Sequence, residues 1–92
     1  MKNSSQGRRI FQDKTFIPPS MYYTYVLKRQ NNDWYIGYTN DLRRRLAEHQ
    51  NKWECELIYY EAYQSMKVAR ERERKLKHYG SAWRALKKRI IA

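Results

Sequence analysis

The sequence predicts an α+β domain in which a three-stranded antiparallel sheet is flanked by helices, in the order β-β-α-β-α-α. Three observations carry this. Two aromatic and β-branched runs, Tyr22–Lys28 and Trp34–Tyr38, are joined by a short polar cluster, the pattern of an antiparallel hairpin. A third run of the same kind, Glu56–Tyr63, follows a segment of helical periodicity. The last third of the chain is helical in pattern and strongly basic.

The elements follow in order. Residues 1–20 are polar and aperiodic and end in Pro18-Pro19, so they read as a flexible tail ahead of a domain over 21–92. Gln30-Asn31-Asn32-Asp33 is the turn of the hairpin. Gly37, near the end of the second strand, marks a strand end or a close backbone approach. Thr39 or Asn40 is positioned to cap the first helix. Leu42, Arg45, Leu46 and His49 recur at i, i+3, i+4 and i+7 and so share one face of it, and Asn51-Lys52 ends it. Ser65 caps the second helix, whose inward stripe is Val68, Ala69, Arg72, Glu73 and Leu76. Gly80 reads as a residue just past that helix, and Ser81 as the cap of a last helix through Ala82, Leu86 and Ile90.

The chain has 92 residues, which is room for one domain with a thin core. No apolar run reaches the length of a membrane span, and no secretory signal pattern opens the chain, so the expectation is a soluble, cytoplasmic protein. The lone Cys55 excludes an internal disulfide and a Cys/His metal cluster. Its neighbours Glu54 and Glu56 disfavour the thiolate, so it reads as a strand residue. The net charge of +11 calls for a polyanionic partner. From Ser65 onward ten Lys or Arg stand against two Glu, and this clustering favours a binding face.

One constellation has the makings of chemistry. Tyr25 and Tyr35 lie on the paired strands, Arg45 and His49 one turn apart on the first helix, and Glu73 within the inward stripe of the second, so the five could converge on one face of the sheet. Phosphodiester hydrolysis uses such parts: a carboxylate for a hard divalent cation, an arginine for charge developing on phosphoryl oxygens, and a tyrosine or histidine to move a proton. From spacing alone each also has a plain structural reading. The tyrosines suit strand packing, Arg45 a general phosphate contact, His49 the dipole of a helix end, and Glu73 an ion pair with Lys77. Trp34, Trp53 and Trp83 read first as packing residues.

A resemblance adds to this. Tyr23-Thr24-Tyr25, with Tyr35-Ile36-Gly37 ten residues beyond Tyr25, resembles the paired motifs that name the GIY-YIG nucleases. Tyr35–Leu42 with Arg45 and His49, Leu57–Glu61, and Ala69–Lys77 are similar to that family's strand-to-helix segment, third strand and metal-binding helix. The likeness runs from about Tyr22 to Ile90 and falls within the small one-domain bacterial members similar to the N-terminal domain of the excinuclease C subunit. It implies a GIY-YIG-like fold and a metal-dependent endonuclease, in DNA repair or recombination. By position it implies Tyr25 as general base or its support, and Tyr35 as positioning water or phosphate. Gly37 would admit a close backbone approach, Arg45 would stabilise the transition state, and His49 would be an active-site histidine. Glu73 would be the ligand of a single Mg2+ or Mn2+. Arg43, Arg44, Lys52, Arg70, Arg74, Lys77, Lys87 and Lys88 are the candidate contacts to nucleic acid, DNA ahead of RNA.

There are departures. Tyr23 stands where the first motif commonly has glycine, the stretch Gln50–Trp53 is shorter than the basic loop of many relatives, and no asparagine after Glu73 matches one found in some members. The alternative is therefore a nucleic-acid-binding module of weak or no activity. A third reading, a binder of acidic membrane or protein surfaces, leaves the tyrosines unexplained.

Overall fold

The structure is a computed structural model and describes residues 20–91. The tail expected over residues 1–20 lies outside them but for Ser20. Strand β1 spans Tyr22–Arg29, β2 Trp34–Thr39 and β3 Cys55–Tyr63; helix α1 spans Leu42–Lys52, α2 Met66–His78 and α3 Gly80–Ile91. A single 3-10 turn, Gln30–Asn32, closes the β1–β2 hairpin. Asn31 and Asn32 sit there in the left-handed region at φ 65° and 60°, a conformation that asparagine tolerates better than most side chains. The order β-β-α-β-α-α and the three-stranded antiparallel sheet are as the sequence predicts.

The strand order is β2-β1-β3, so β1 is central and both partners run antiparallel to it. Its residues Thr24, Tyr25, Val26 and Leu27 are each at most 1 % exposed, as expected for a strand covered on both faces. Alternation sends Thr24 and Val26 to one face and Tyr25 and Leu27 to the other. A bulge in the pairing with β3, between Val26 and Leu27, shifts the partner from Tyr59 to Leu57.

The first face carries the apolar core. Val26 packs with Leu76 of α2 and Leu86 of α3, ringed by Trp34, Ile36, Tyr59, Ala82, Trp83 and Ile90. The Thr24 hydroxyl donates to the Ala69 carbonyl at 2.7 Å and ties α2 to β1. Trp34 and Trp83 meet edge to face at 5.5 Å and serve the core. The second face is covered by α1.

Four local expectations are corrected. Asp41 caps α1, its carboxylate accepting from Arg44 N at 3.1 Å. Thr39 instead braces the cap, accepting from Asp41 N at 3.0 Å, and Asn40 is exposed. Val68 is not on the inward stripe but 47 % exposed, because it lies about 100° round the helix from the buried Ala69. Gly80 does not follow α2 as its terminating glycine: Tyr79 is the C-cap, and Gly80 opens α3 with no positive φ. Ser81 accordingly lies inside α3 rather than capping it.

Candidate active site

The covered face under α1 gathers polar and aromatic side chains from three elements. Tyr25 and Tyr35 come from neighbouring strands, their rings 6.2 Å apart. His49, on the inward face of α1, stands edge-on to both, at 5.8 Å from Tyr25 and 4.8 Å from Tyr35. The Tyr25 hydroxyl and His49 Nε2 share a hydrogen bond of 2.8 Å. Both residues are buried, at 1 % and 3 % exposure, while Tyr35 is half-buried and leads to the surface.

Glycine at position 37 has a specific cause. Gly37 pairs with Tyr25 across the hairpin, and a Cβ there would lie 2.5 Å from the Tyr25 Cζ and from its hydroxyl oxygen. Its φ is not positive, so what glycine supplies is room for the tyrosine ring.

Electrostatics set the protonation states. Burial, then the neighbouring Tyr35, pushes the Tyr25 hydroxyl up to about 12, while Arg45 pulls the other way. Burial, then the Arg45 charge, holds His49 below the ordinary histidine range. At neutral pH the imidazole is therefore uncharged and the phenol protonated, and in the tautomer that carries its hydrogen on Nδ1 the phenol donates to Nε2.

Arg45 leaves the same helix beside this pair. Its guanidinium donates to Glu48 Oε1 at 2.9 Å, and Arg44 donates to Glu48 Oε2 at 2.9 Å. Hydrogen bonds from Arg45 and then Arg44 hold the Glu48 carboxyl below its usual range. Both ends of these pairs are substantially exposed, and such pairs hold weakly enough for a phosphate to displace the carboxylate. Glu48 is absent from the sequence-level site, although its i+3 and i+4 spacing to the two arginines was a readable signal. Trp53 joins the cluster beyond simple packing: its ring stacks on His49 at 5.3 Å and carries the Arg29 guanidinium at 4.1 Å on a cation–π contact.

Glu73 stands apart. It belongs to α2, on the opposite face of the sheet, where Lys77 Nζ pairs with it at 2.9 Å. Helical geometry advances about 100° per residue, so Glu73 lies between the buried direction marked by Ala69 and Leu76 and the side bearing Arg70. Arg70 sits over the Tyr38 ring of β2 at 5.6 Å, so that side faces the open β2 edge. No hydrogen bond or ion pair among the described residues joins Glu73 to the Tyr25 cluster. Among the described residues no group of three His, Cys, Asp or Glu is placed to hold a metal ion. The donor chemistry at Glu73 still fits one hydrated divalent cation: a single carboxylate oxygen donor, 22 % exposed, leaves the other positions to water and phosphate.

The remaining basic candidates are dispersed. Arg43, Lys52, Arg70, Arg74, Lys77 and Lys88 are exposed. Arg74 pairs with Glu71 at 3.0 Å. Lys87 is half-buried against Trp34 and Trp83.

The fold and this face define a class. Residues 21–89 match the GIY-YIG catalytic domain, and the chain belongs to that family, a nuclease superfamily. Among its relatives, the UPF0213 protein NP_0776A of Natronomonas pharaonis is 34 % identical over 80 residues, spanning 77 % of this chain and 91 % of that one. The UPF0213 protein YazA of Bacillus subtilis is 33 % identical over 61 residues, 56 % of this chain and 62 % of that one. The solution NMR structure of the UPF0213 protein BH0048 from Bacillus halodurans shares the fold, with a TM-score of 0.55 at 23 % identity over 76 % of this chain and 86 % of that one. No helix among the described residues is long and apolar enough to cross a membrane.

Proposed function

We propose that this chain is a metal-dependent endonuclease that hydrolyses phosphodiester bonds in nucleic acid, DNA ahead of RNA. The observation that carries the reading is the buried Tyr25–His49 hydrogen bond beside Arg45. A phenol with a pKa of about 12 is a poor base by itself at neutral pH. Coupled to a neutral imidazole, it can take a proton from the attacking water while passing its own to Nε2. Tyr35, at the surface end of the cluster, positions the water or the phosphate. As the water oxygen bonds to phosphorus and the bond to the leaving oxygen breaks, solvent protonates the leaving group. Arg45, released from Glu48, meets the charge on the phosphoryl oxygens.

Glu73 would hold the divalent cation, Mg2+ or Mn2+. Such an ion supplies Lewis-acid stabilisation of phosphoryl charge when bound. Arg43, Arg44 and Lys52 on α1, with Arg70, Arg74, Lys77, Lys87 and Lys88 on α2 and α3, are the proposed backbone contacts.

The test is a nicking assay on supercoiled and branched DNA with Mg2+ or Mn2+, beside Glu73→Ala. Cleavage by the parent and none by the variant, with DNA affinity equal or higher, is the expected result. Removing a carboxylate beside phosphate relieves repulsion, whereas losing the metal ends turnover. Unchanged cleavage by the variant removes Glu73 from the mechanism. A second reading, a nucleic-acid-binding module without turnover, is favoured by the Glu73–Lys77 pair and by the absence, among the described residues, of any group of three His, Cys, Asp or Glu placed to hold a metal ion. It predicts no cleavage by either protein and binding that weakens steeply with salt.

A further inference from the structure

Away from the Tyr25 face, the most highly bonded polar group is Glu61 of β3, on the face covered by α2. Its carboxylate accepts from Arg72 Nε at 3.0 Å and Arg72 Nη2 at 3.1 Å, a two-pronged pairing. The Tyr59 hydroxyl donates to one carboxylate oxygen at 2.6 Å, and the Tyr63 hydroxyl donates to the other. The Glu61 and Arg72 side chains are only 15 % and 27 % exposed. Burial alone would push the Glu61 carboxyl up, but Arg72, Tyr59 and Tyr63 together hold it below its ordinary range. It is therefore ionised at neutral pH and saturated with donors.

A half-buried ion pair of this kind is a weak source of stability compared with apolar packing of the same volume. Directionality is what it adds, since the planar guanidinium must meet the carboxylate in one orientation. Arg72 directly precedes Glu73. Three residues before Arg72, the Ala69 carbonyl accepts the buried Thr24 hydroxyl at 2.7 Å. Helix α2 is thus fixed to β1 at Ala69 and to β3 at Arg72, two attachments on different strands about one turn apart. Together they remove its freedom to roll, and the rotation they impose turns Glu73 toward β2.

We propose that Glu61 and Arg72, with Tyr59 and Tyr63 as donors, form a clasp that sets the rotation of α2 and so holds Glu73 at the β2 edge where it takes the metal; this rests on Glu73 being the metal ligand. All four are positioning residues. A purely structural pair would move the melting temperature and leave metal affinity alone.

The experiment is an NMR titration of the isotope-labelled full chain with Mn2+ alone, reading amide broadening around Glu73, with thermal unfolding measured in parallel. In the parent, broadening centres on Glu73 and Glu73→Gln abolishes it. In Glu61→Gln and Arg72→Lys, both retaining dispersed spectra, the Mn2+ concentration for half-maximal broadening rises by about tenfold or more, as for lost outer-shell support. Tyr63→Phe removes one donor and keeps the ion pair, so it shifts the same quantity less and serves if Glu61→Gln fails to fold. Clasp variants that match the parent's Mn2+ response overturn the proposal while leaving the metal reading intact. A parent without broadening at Glu73 refutes the metal reading, and the clasp loses its assigned role with it.

Discussion

The two faces of the central strand are built to different ends. On one, Val26 meets Leu76 and Leu86 in a wholly apolar contact between sheet and helices. On the other, the equally buried Tyr25 and His49 meet, with the half-buried Tyr35 and the more exposed Arg45 guanidinium beside them. Burying a phenol and an imidazole costs free energy that an aliphatic filling would not. The apolar face accounts for the fold. The polar face has no such excuse, and local sequence choices that work against stability concentrate at functional sites.

This contrast can be broken from either side. Leu86→Ala, on the apolar face, leaves a cavity and is expected to cost ~2–5 kcal/mol, a large part of the ~5–15 kcal/mol available to an ordinary domain. Denaturant unfolding measures it, and a loss under 1 kcal/mol, about the cost of an exposed site, would place Leu86 outside the core. Gly37→Ala acts on the polar face. Its new methyl must displace the Tyr25 ring, which lies 2.5 Å from the Cβ position, and a misplaced catalytic group can reduce turnover about 10²-fold. A variant that cleaves as the parent does would show that Tyr25 need not sit there.

The pH dependence sharpens the comparison. On the proposed mechanism His49 must be neutral to accept the Tyr25 proton, and burial with the nearby Arg45 holds its pKa down. The acid limb of the cleavage rate is therefore expected below the ordinary value of about 6.5. An NMR titration of His49 that returns 6.5 or higher would contradict this. Stability follows the same sign. The unfolded chain binds a proton at His49 more readily than the folded one, so the contribution is full above about 6.5 and is lost as pH falls through the lower folded value. For Tyr25 the folded pKa of about 12 is the higher one, so its contribution is full below about 10 and is lost as pH rises through 12.

The smallest effect falls on the helix that roofs the polar face. Asp41→Ala removes the α1 cap and should cost ~0.5–2 kcal/mol, whereas Asn40→Ala should cost almost nothing. Thermal unfolding of the two variants separates them, and the reverse order would restore Asn40 as the cap.

That correction shows where local sequence information ended. Strands of period two and helices of period 3.6 make the element order legible in the sequence, and the hairpin pattern puts Tyr25 and Tyr35 on paired strands. Thr39, Asn40 and Asp41 are all good cap formers, so residue type could not choose among them; the path out of β2 did. Gly80 was misread because a glycine after a basic helix commonly ends it, while here the chain turns at Tyr79 and α3 starts at once. The inward face of α1 put Arg45 and His49 on one side, but the stacking of Trp53 on His49 depends on where the chain leaves the helix. Glu61 and Arg72 are joined only through the packing of α2 on β3, which no local pattern specifies.

Adjacent residues of β1 allow the most direct test of the whole account. Cleavage rate and melting temperature should be measured together for Tyr25→Phe and Val26→Ala. Tyr25→Phe keeps the ring and loses only the hydroxyl. It should lower cleavage by about 10²-fold or more and shift melting by no more than the roughly 4–8 °C that one hydrogen bond's ~1 kcal/mol represents. Val26→Ala should lower melting and leave the cleavage rate of the folded protein unchanged. A Tyr25→Phe variant that cleaves at the parent rate would contradict the account, and the polar face would then be packing after all.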